Sequence, residues 1–338
     1  MGTGEFRTCR RRRPRATLPV VGDTFRWIRS GAGEELTPLR RNETWIRVDR
    51  VLPEDAWPRV AGLVSSRPDV QLSIESGADL EMLRWFPNLS SLAARSLRLG
   101  SLDGLRHVAG SLEELALGDT LKRLSMRAVG DVPRLRRLAV NGSWKDVDTV
   151  GRLAGLERLG IGSVDLEWLR PLTGLRRFEC GLGTIANVSI LDEIGRLELV
   201  ELWRLRGEPD LASLGRISTL RYLVLDSTRS VTVLPSLAAC RDLRWVSLGE
   251  MRGITDLQPI ADAPNLEVLL LVGMNQLDAG SLRPFIGHPA LRAGIWGFGS
   301  KRRNEAAQAL LPLSPPPGAS MAPWNDPGWD GIRHPTQT

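Results

Sequence analysis

The sequence predicts an α/β repeat solenoid in which each coil adds one strand to a parallel sheet and one tight outer segment behind it. A Leu-x-x-Leu-x-Leu motif, with apolar substitutes allowed, occurs ten times between Leu89 and the copy starting at Leu291, at steps of 19 to 25 residues. Ahead of each copy runs a second pattern, an apolar residue at every third position, as in Leu166-Leu169-Leu172 before Leu175. The composition, 42% hydrophobic and 25% charged, supplies enough apolar material for a long continuous core.

Each period has a physical meaning. The last two motif leucines alternate like a short strand and send their side chains to one face. A period of three matches a 3-10-like segment with one buried edge. One such coil cannot bury its apolar side alone, so the coils must stack and share a core. Clear copies are Leu220-Leu223-Leu225, Leu243-Val246-Leu248 and Leu266-Leu269-Leu271; of the thirty apolar slots only Gly294 is not apolar. Cys180 and Cys240 occupy apolar slots of the two patterns, as small hydrophobes do.

In chain order, residues 1–35 read as a disordered arginine-rich tail. Arg7, Arg10, Arg11, Arg12, Arg13 and Arg15 face one acid, Glu5, so nearly all of the net charge of +6 sits there and the body is close to neutral. Residues 36–75 read as an N-terminal αβ cap: Trp45-Ile46-Arg47-Val48 as a strand, Pro53-Glu54-Asp55 opening a helix to about Ser66, and Val70–Ile74 starting the sheet. The repeats take residues 76–300, a cap helix 301–312, and a proline-rich disordered tail 313–338.

These motifs resemble the leucine-rich-repeat family, particularly its bacterial 22–23-residue internalin-like type, over roughly residues 67–299. The resemblance implies a horseshoe with a parallel sheet on the concave face and 3-10 or short helices on the convex face. It also implies a protein-binding module. One departure concerns the turn after each strand, where the family places asparagine three residues past the last motif leucine. Here that column reads Leu97, Thr120, Ser143, Val164, Gly183, Leu205, Thr228, Met251, Met274 and Gly299, so the turn is satisfied differently.

No phosphate loop, metal-spaced cysteine set or nucleophile elbow is present, and no catalytic, cofactor or metal residue is assigned. His288 fills a slot of the period-three row and reads as structural. Unpaired cysteines and the lack of a signal peptide or membrane-length apolar run point to the cytoplasm. The residues between the motif leucines should face outward on the concave sheet. Arg137, Arg158 and Arg177 form a basic stripe, followed by an apolar patch of Leu199, Trp203, Tyr222, Val224, Trp245, Val268 and Leu270. A contiguous apolar patch in solvent marks an interface. The expected partner is a protein anchored on Trp203, Tyr222 and Trp245, with the arginines orienting an acidic portion of it. The patch could instead be covered by the C-terminal tail or a second copy. Two other classes are alternatives: nucleic-acid association through the arginine-rich tail, for which a solvated tail is the simpler reading, and a substrate-recruiting subunit of an enzyme system.

Overall fold

The computed structural model describes residues 24–316 except 68, 163–164, 184–187 and 208. The arginine run and the proline-rich end expected at the two termini therefore lie outside the described residues, up to 23 and from 317. One parallel sheet of 13 strands runs through the protein, its spatial order equal to its sequence order. The strands are β1 (Thr24–Ile28), β2 (Glu43–Val48), β3 (Gln71–Ile74), β4 (Ser91–Ala94), β5 (Glu114–Leu117), β6 (Arg137–Val140) and β7 (Arg158–Ile161). They continue as β8 (Arg177–Gly181), β9 (Leu199–Trp203), β10 (Tyr222–Asp226), β11 (Trp245–Gly249), β12 (Val268–Val272) and β13 (Ala293–Trp296).

The register sets motif residue on motif residue. Leu138 pairs with Leu159, which pairs with Phe178, then Val200, Leu223, Val246 and Leu269. All of these side chains are buried in one cluster that runs from Ile28 to Ala307. Each buried leucine contributes about 1.5–3 kcal/mol of hydrophobic stabilisation. Cys180 lies in the next row of the core, between Ile161 and Leu202, its thiol 3.3 Å from the Gly162 carbonyl, and burial pushes its pKa up to about 12.

Behind the sheet, most of the period-three rows become 3-10 helices, including Glu81–Trp85, Asp103–His107, Val147–Arg152, Ser189–Asp192, Ala212–Arg216 and Ala279–Phe285. The last is started by a capping box between Asp278 and Ser281. Two rows widen into single α-turns, α2 (Arg127–Gly130) and α3 (Gln258–Ala261), while the cap helix α1 spans Trp57–Ser65. At 234–240, where Pro235 follows the first apolar residue, no helix forms, yet Leu234, Leu237 and Cys240 are still buried. Burial therefore follows the period and not the helical hydrogen bonds. His288 is held the same way: its Nε2 donates to the Ala263 carbonyl at 2.9 Å, and its Nδ1 accepts from Leu291 at 3.2 Å.

Both ends differ from the sequence reading. The sheet begins at β1, inside the stretch assigned to a tail reaching residue 35. Ile28 is fully buried beside Val48, and Arg26 is fixed to Glu43 at 2.6 Å, so this strand closes the first coil of the core. At the other end α4 spans Lys301–Leu310, capped by Ser300, whose Oγ accepts from the Arg303 amide at 3.3 Å. Residues 313–316, assigned to the tail, are ordered against the sheet. Ser314 bridges Ala293, its carbonyl accepting from the Gly294 amide at 3.0 Å, and Pro316 is buried.

The turn after the strand shows how the chain manages without the asparagine column. In five consecutive coils the first residue past the strand is left-handed: Leu182 at φ 58°, Arg204 at 50°, Ser227 at 54°, Glu250 at 49° and Gly273 at 68°. This conformation aims each amide at the strand end of the next coil. Leu182 donates to the Trp203 carbonyl at 3.2 Å, Arg204 to Asp226 at 2.8 Å, Ser227 to Gly249 at 2.7 Å and Glu250 to Val272 at 2.8 Å. A left-handed L-residue costs about 1–2 kcal/mol, and the continuing ladder offsets it. Farther along the turn, side chains take part: Thr228 Oγ1 accepts from the Leu205 amide at 3.3 Å, and Gln276 Nε2 donates to the Met251 carbonyl at 2.8 Å. A valine at 250 should therefore lower stability by more than about 1 kcal/mol, since a β-branched residue tolerates positive φ worst. Glu250→Gly should match or exceed the parent, as measured by thermal unfolding. Equal melting of the valine variant and the parent would contradict the left-handed ladder.

Candidate interaction surface

The in-register ladder arranges the open face, opposite the 3-10 layer, into columns of side chains. One column runs through Arg137, Arg158, Arg177, Leu199, Tyr222, Trp245, Val268 and Ala293. The next runs through Ala116, Ala139, Gly160, Glu179, Glu201, Val224, Ser247, Leu270 and Ile295. The residues assigned from sequence thus sit side by side as expected. Their surroundings differ from expectation in two of three zones.

In the central zone the arginines are not free charges. Strand spacing would set three like charges about 4.8 Å apart in one column, and carboxylates answer them. Arg137 pairs with Glu114 at 3.4 Å, Arg158 with Glu179 at 2.9 Å and Arg177 with Glu179 at 2.5 Å. The expected basic stripe is therefore a neutralised network. Burial, with Arg158 beside it, draws the Arg177 guanidinium down to about 10. Burial pushes the Glu179 carboxyl up, but Arg158 and Arg177 together overcome this and hold it below its ordinary 4.5.

In the C-terminal zone the patch expected in solvent is buried. Leu199, Tyr222, Trp245, Val268, Leu270 and Ala293 form a second hydrophobic cluster, separate from the main core, with exposures of 9% or less. Bulky side chains one strand apart cover each other's flanks, which the sequence pattern did not register. Trp203, in the outermost column, keeps partial exposure. Its ring lies over Gly181 on the neighbouring strand, where a Cβ would stand 2.0 Å from Cε2.

The N-terminal zone was missed by sequence reasoning. Phe25 packs edge-on against Trp45 with centroids 5.8 Å apart, and the Arg47 guanidinium lies 4.6 Å over Phe25 and 5.1 Å over Trp27. Arg95 lies 5.7 Å over Trp45. Arg47 is balanced by Glu75 at 2.8 Å, whereas the buried Nε and Nη2 of Arg95 have no hydrogen-bond partner. Burial, then the like charge of Arg47, lowers the Arg95 pKa. Trp27 is 38% exposed. The available signal was the alternation in Phe25-Arg26-Trp27-Ile28, outweighed by the adjoining arginine run.

No family model and no curated protein matches the chain. An internalin (inlF) of Listeria monocytogenes matches in structure with a TM-score of 0.56 at 17% identity, covering 81% of this chain and 80% of that one. The fold is that of a leucine-rich-repeat solenoid. A chain of the TLR13–ssRNA13 complex matches with a TM-score of 0.54 at 12% identity, covering 76% of this solenoid and 47% of that chain. At such identities the likeness establishes the fold. Among the described residues no helix is long and apolar enough to cross a membrane, and no group of three or more His, Cys, Asp or Glu is placed to hold a metal.

Removing the shared carboxylate by Glu179→Gln should cost about 3–5 kcal/mol at neutral pH, because Arg158 and the buried Arg177 both lose the carboxylate they share. The depressed carboxyl of the parent contributes stability that is full above 4.5 and declines as pH falls through its lower folded-state value. The glutamine variant should lack that part of the acid dependence in urea titrations. Gly181→Ala should displace the Trp203 ring and shift its fluorescence while leaving the main-core transition largely intact; an unchanged spectrum would contradict the stacking.

Proposed function

We propose that this protein is a non-catalytic recognition scaffold that binds a protein partner on the open face of its sheet, the concave side of the expected horseshoe. The arginine–aromatic cluster at the N-terminal end carries this reading. Trp27 and Phe25 offer ring faces, Arg47 stacks on them, and Arg95 holds two buried N–H groups that an acidic side chain would satisfy. Aromatic residues and arginine are the types that most often dominate binding energy, and a buried unpaired donor is rare enough to call for a partner. The partner's chemistry is thus an acidic segment flanked by apolar residues. The central arginines Arg137 and Arg158 would extend the contact at the margins of their carboxylate pairs. Trp203, which keeps partial exposure beside the buried column of Leu199, Tyr222, Val224, Trp245, Val268 and Leu270, marks the second half of the same face.

Two further features support the reading. Among the described residues, His288 is bonded to backbone and His107 lies 3.2 Å from Glu81. Cys180 and Cys240 are free, buried thiols, which fits a reducing cytoplasmic compartment.

The test is capture by the immobilised full chain from nuclease-treated extract of its source cells, with Trp27→Ala and Arg95→Gln variants alongside, each shown to fold by circular dichroism. A protein bound by the parent should lose at least tenfold in affinity to each variant, equivalent to about 1.4 kcal/mol. Equal binding by all three would remove the open face's N-terminal end from consideration. Capture found only in a parallel extract without nuclease would instead favour the nucleic-acid reading through the arginine-rich segment.

A further inference from the structure

The second hydrophobic cluster is buried as deeply as the main core, although it lies on the face that carries no helices. Leu199, Tyr222 and Leu270 have 0% exposure. No residue of the 3-10 layer belongs to the cluster. Stacking at strand spacing shields the flank of each side chain but leaves its outward end uncovered, so burial this complete requires a layer on top. We propose that this layer is the chain's own C-terminal segment, residues 317–338, docked across the open face from β13 toward β9.

The chain's path supports this occupant. After α4 it returns to the sheet, where Ser314 bridges Ala293, itself a member of the cluster. The described residues end at the buried Pro316, two residues past that bridge. The 22 residues that follow reach roughly 70 Å when extended, against about 19 Å across the four strand spacings from β13 to β9. Their composition fits an apolar face. Met321, Trp324, Trp329 and Ile332 are spaced along the segment, with Pro323, Pro327 and Pro335 keeping it extended. The other terminal segment lacks this chemistry: its six arginines before residue 16 match carboxylates rather than leucine and tryptophan, and it joins the sheet at β1.

Docking of 317–338 would leave the N-terminal arginine–aromatic end of the face open while occupying the Leu199–Leu270 half. The inference concerns contacts within the chain, so it stands or falls without any captured partner. The test uses the full chain with a photo-crosslinking benzoylphenylalanine in place of Trp324, and crosslinked peptides mapped by mass spectrometry. Crosslinks within one chain to residues 199–203, 222–226, 245–249 or 268–272 are expected. Crosslinks confined to other regions would overturn the proposal, and so would crosslinks between two copies, identified by mixing isotopically light and heavy protein. A second measurement guards against an unreactive probe position. The full-length Trp324→Ala/Trp329→Ala variant should bind a hydrophobic dye such as ANS several-fold more strongly than the parent, with unchanged circular dichroism. Unchanged dye binding would show that something other than these tryptophans covers the cluster and would overturn the proposal.

Discussion

Everything in this protein depends on one constraint: each coil must lie in register on the one before it. A parallel ladder without offsets places every residue above its counterpart in the neighbouring repeat, from Leu138 and Leu159 through to Leu269. Inside, this turns a short apolar motif into an uninterrupted core. At the turn it lets a backbone device repeat, so four left-handed non-glycine residues follow one another from Leu182 to Glu250. Each contributes an amide to the next strand end, and the cost of one such residue is offset only because its neighbours do the same.

The same register shapes the outer face, with less freedom. Identical charges in one column become close neighbours, and the structure tolerates Arg137, Arg158 and Arg177 only with Glu114 and Glu179 set among them. Large apolar side chains in one column become mutual cover, as from Leu199 to Val268. Where a large ring lies next to a strand end, the neighbour must be small, and Gly181 under Trp203 is the example. The face is therefore a set of coupled columns, and a side chain on it is exposed only where its neighbours permit.

This coupling explains which parts of the site the sequence made legible. The columns themselves were readable, because a period of two on a short strand assigns each residue to a face. Their charge state and exposure were not, because both depend on neighbours some 20 residues away in the chain. Arg177 looked like a binding cation and is a buried partner of Glu179. Trp245 looked like a solvent-facing anchor and is part of a core. The Phe25–Trp27 strand was hidden for a different reason: the arginines preceding it dominated local composition, and only pairing with β2 reveals that Ile28 belongs to the core.

By itself the sequence determined that this chain stacks coils, how many residues each contributes and which side chains enter the shared core. That information is local and periodic, and hydrophobic burial reads it directly. The tertiary structure decided where the stack begins and ends, how the turns close without asparagine, and which outward residues remain available to a partner. Those outcomes rest on contacts between successive repeats, whose geometry no single repeat encodes.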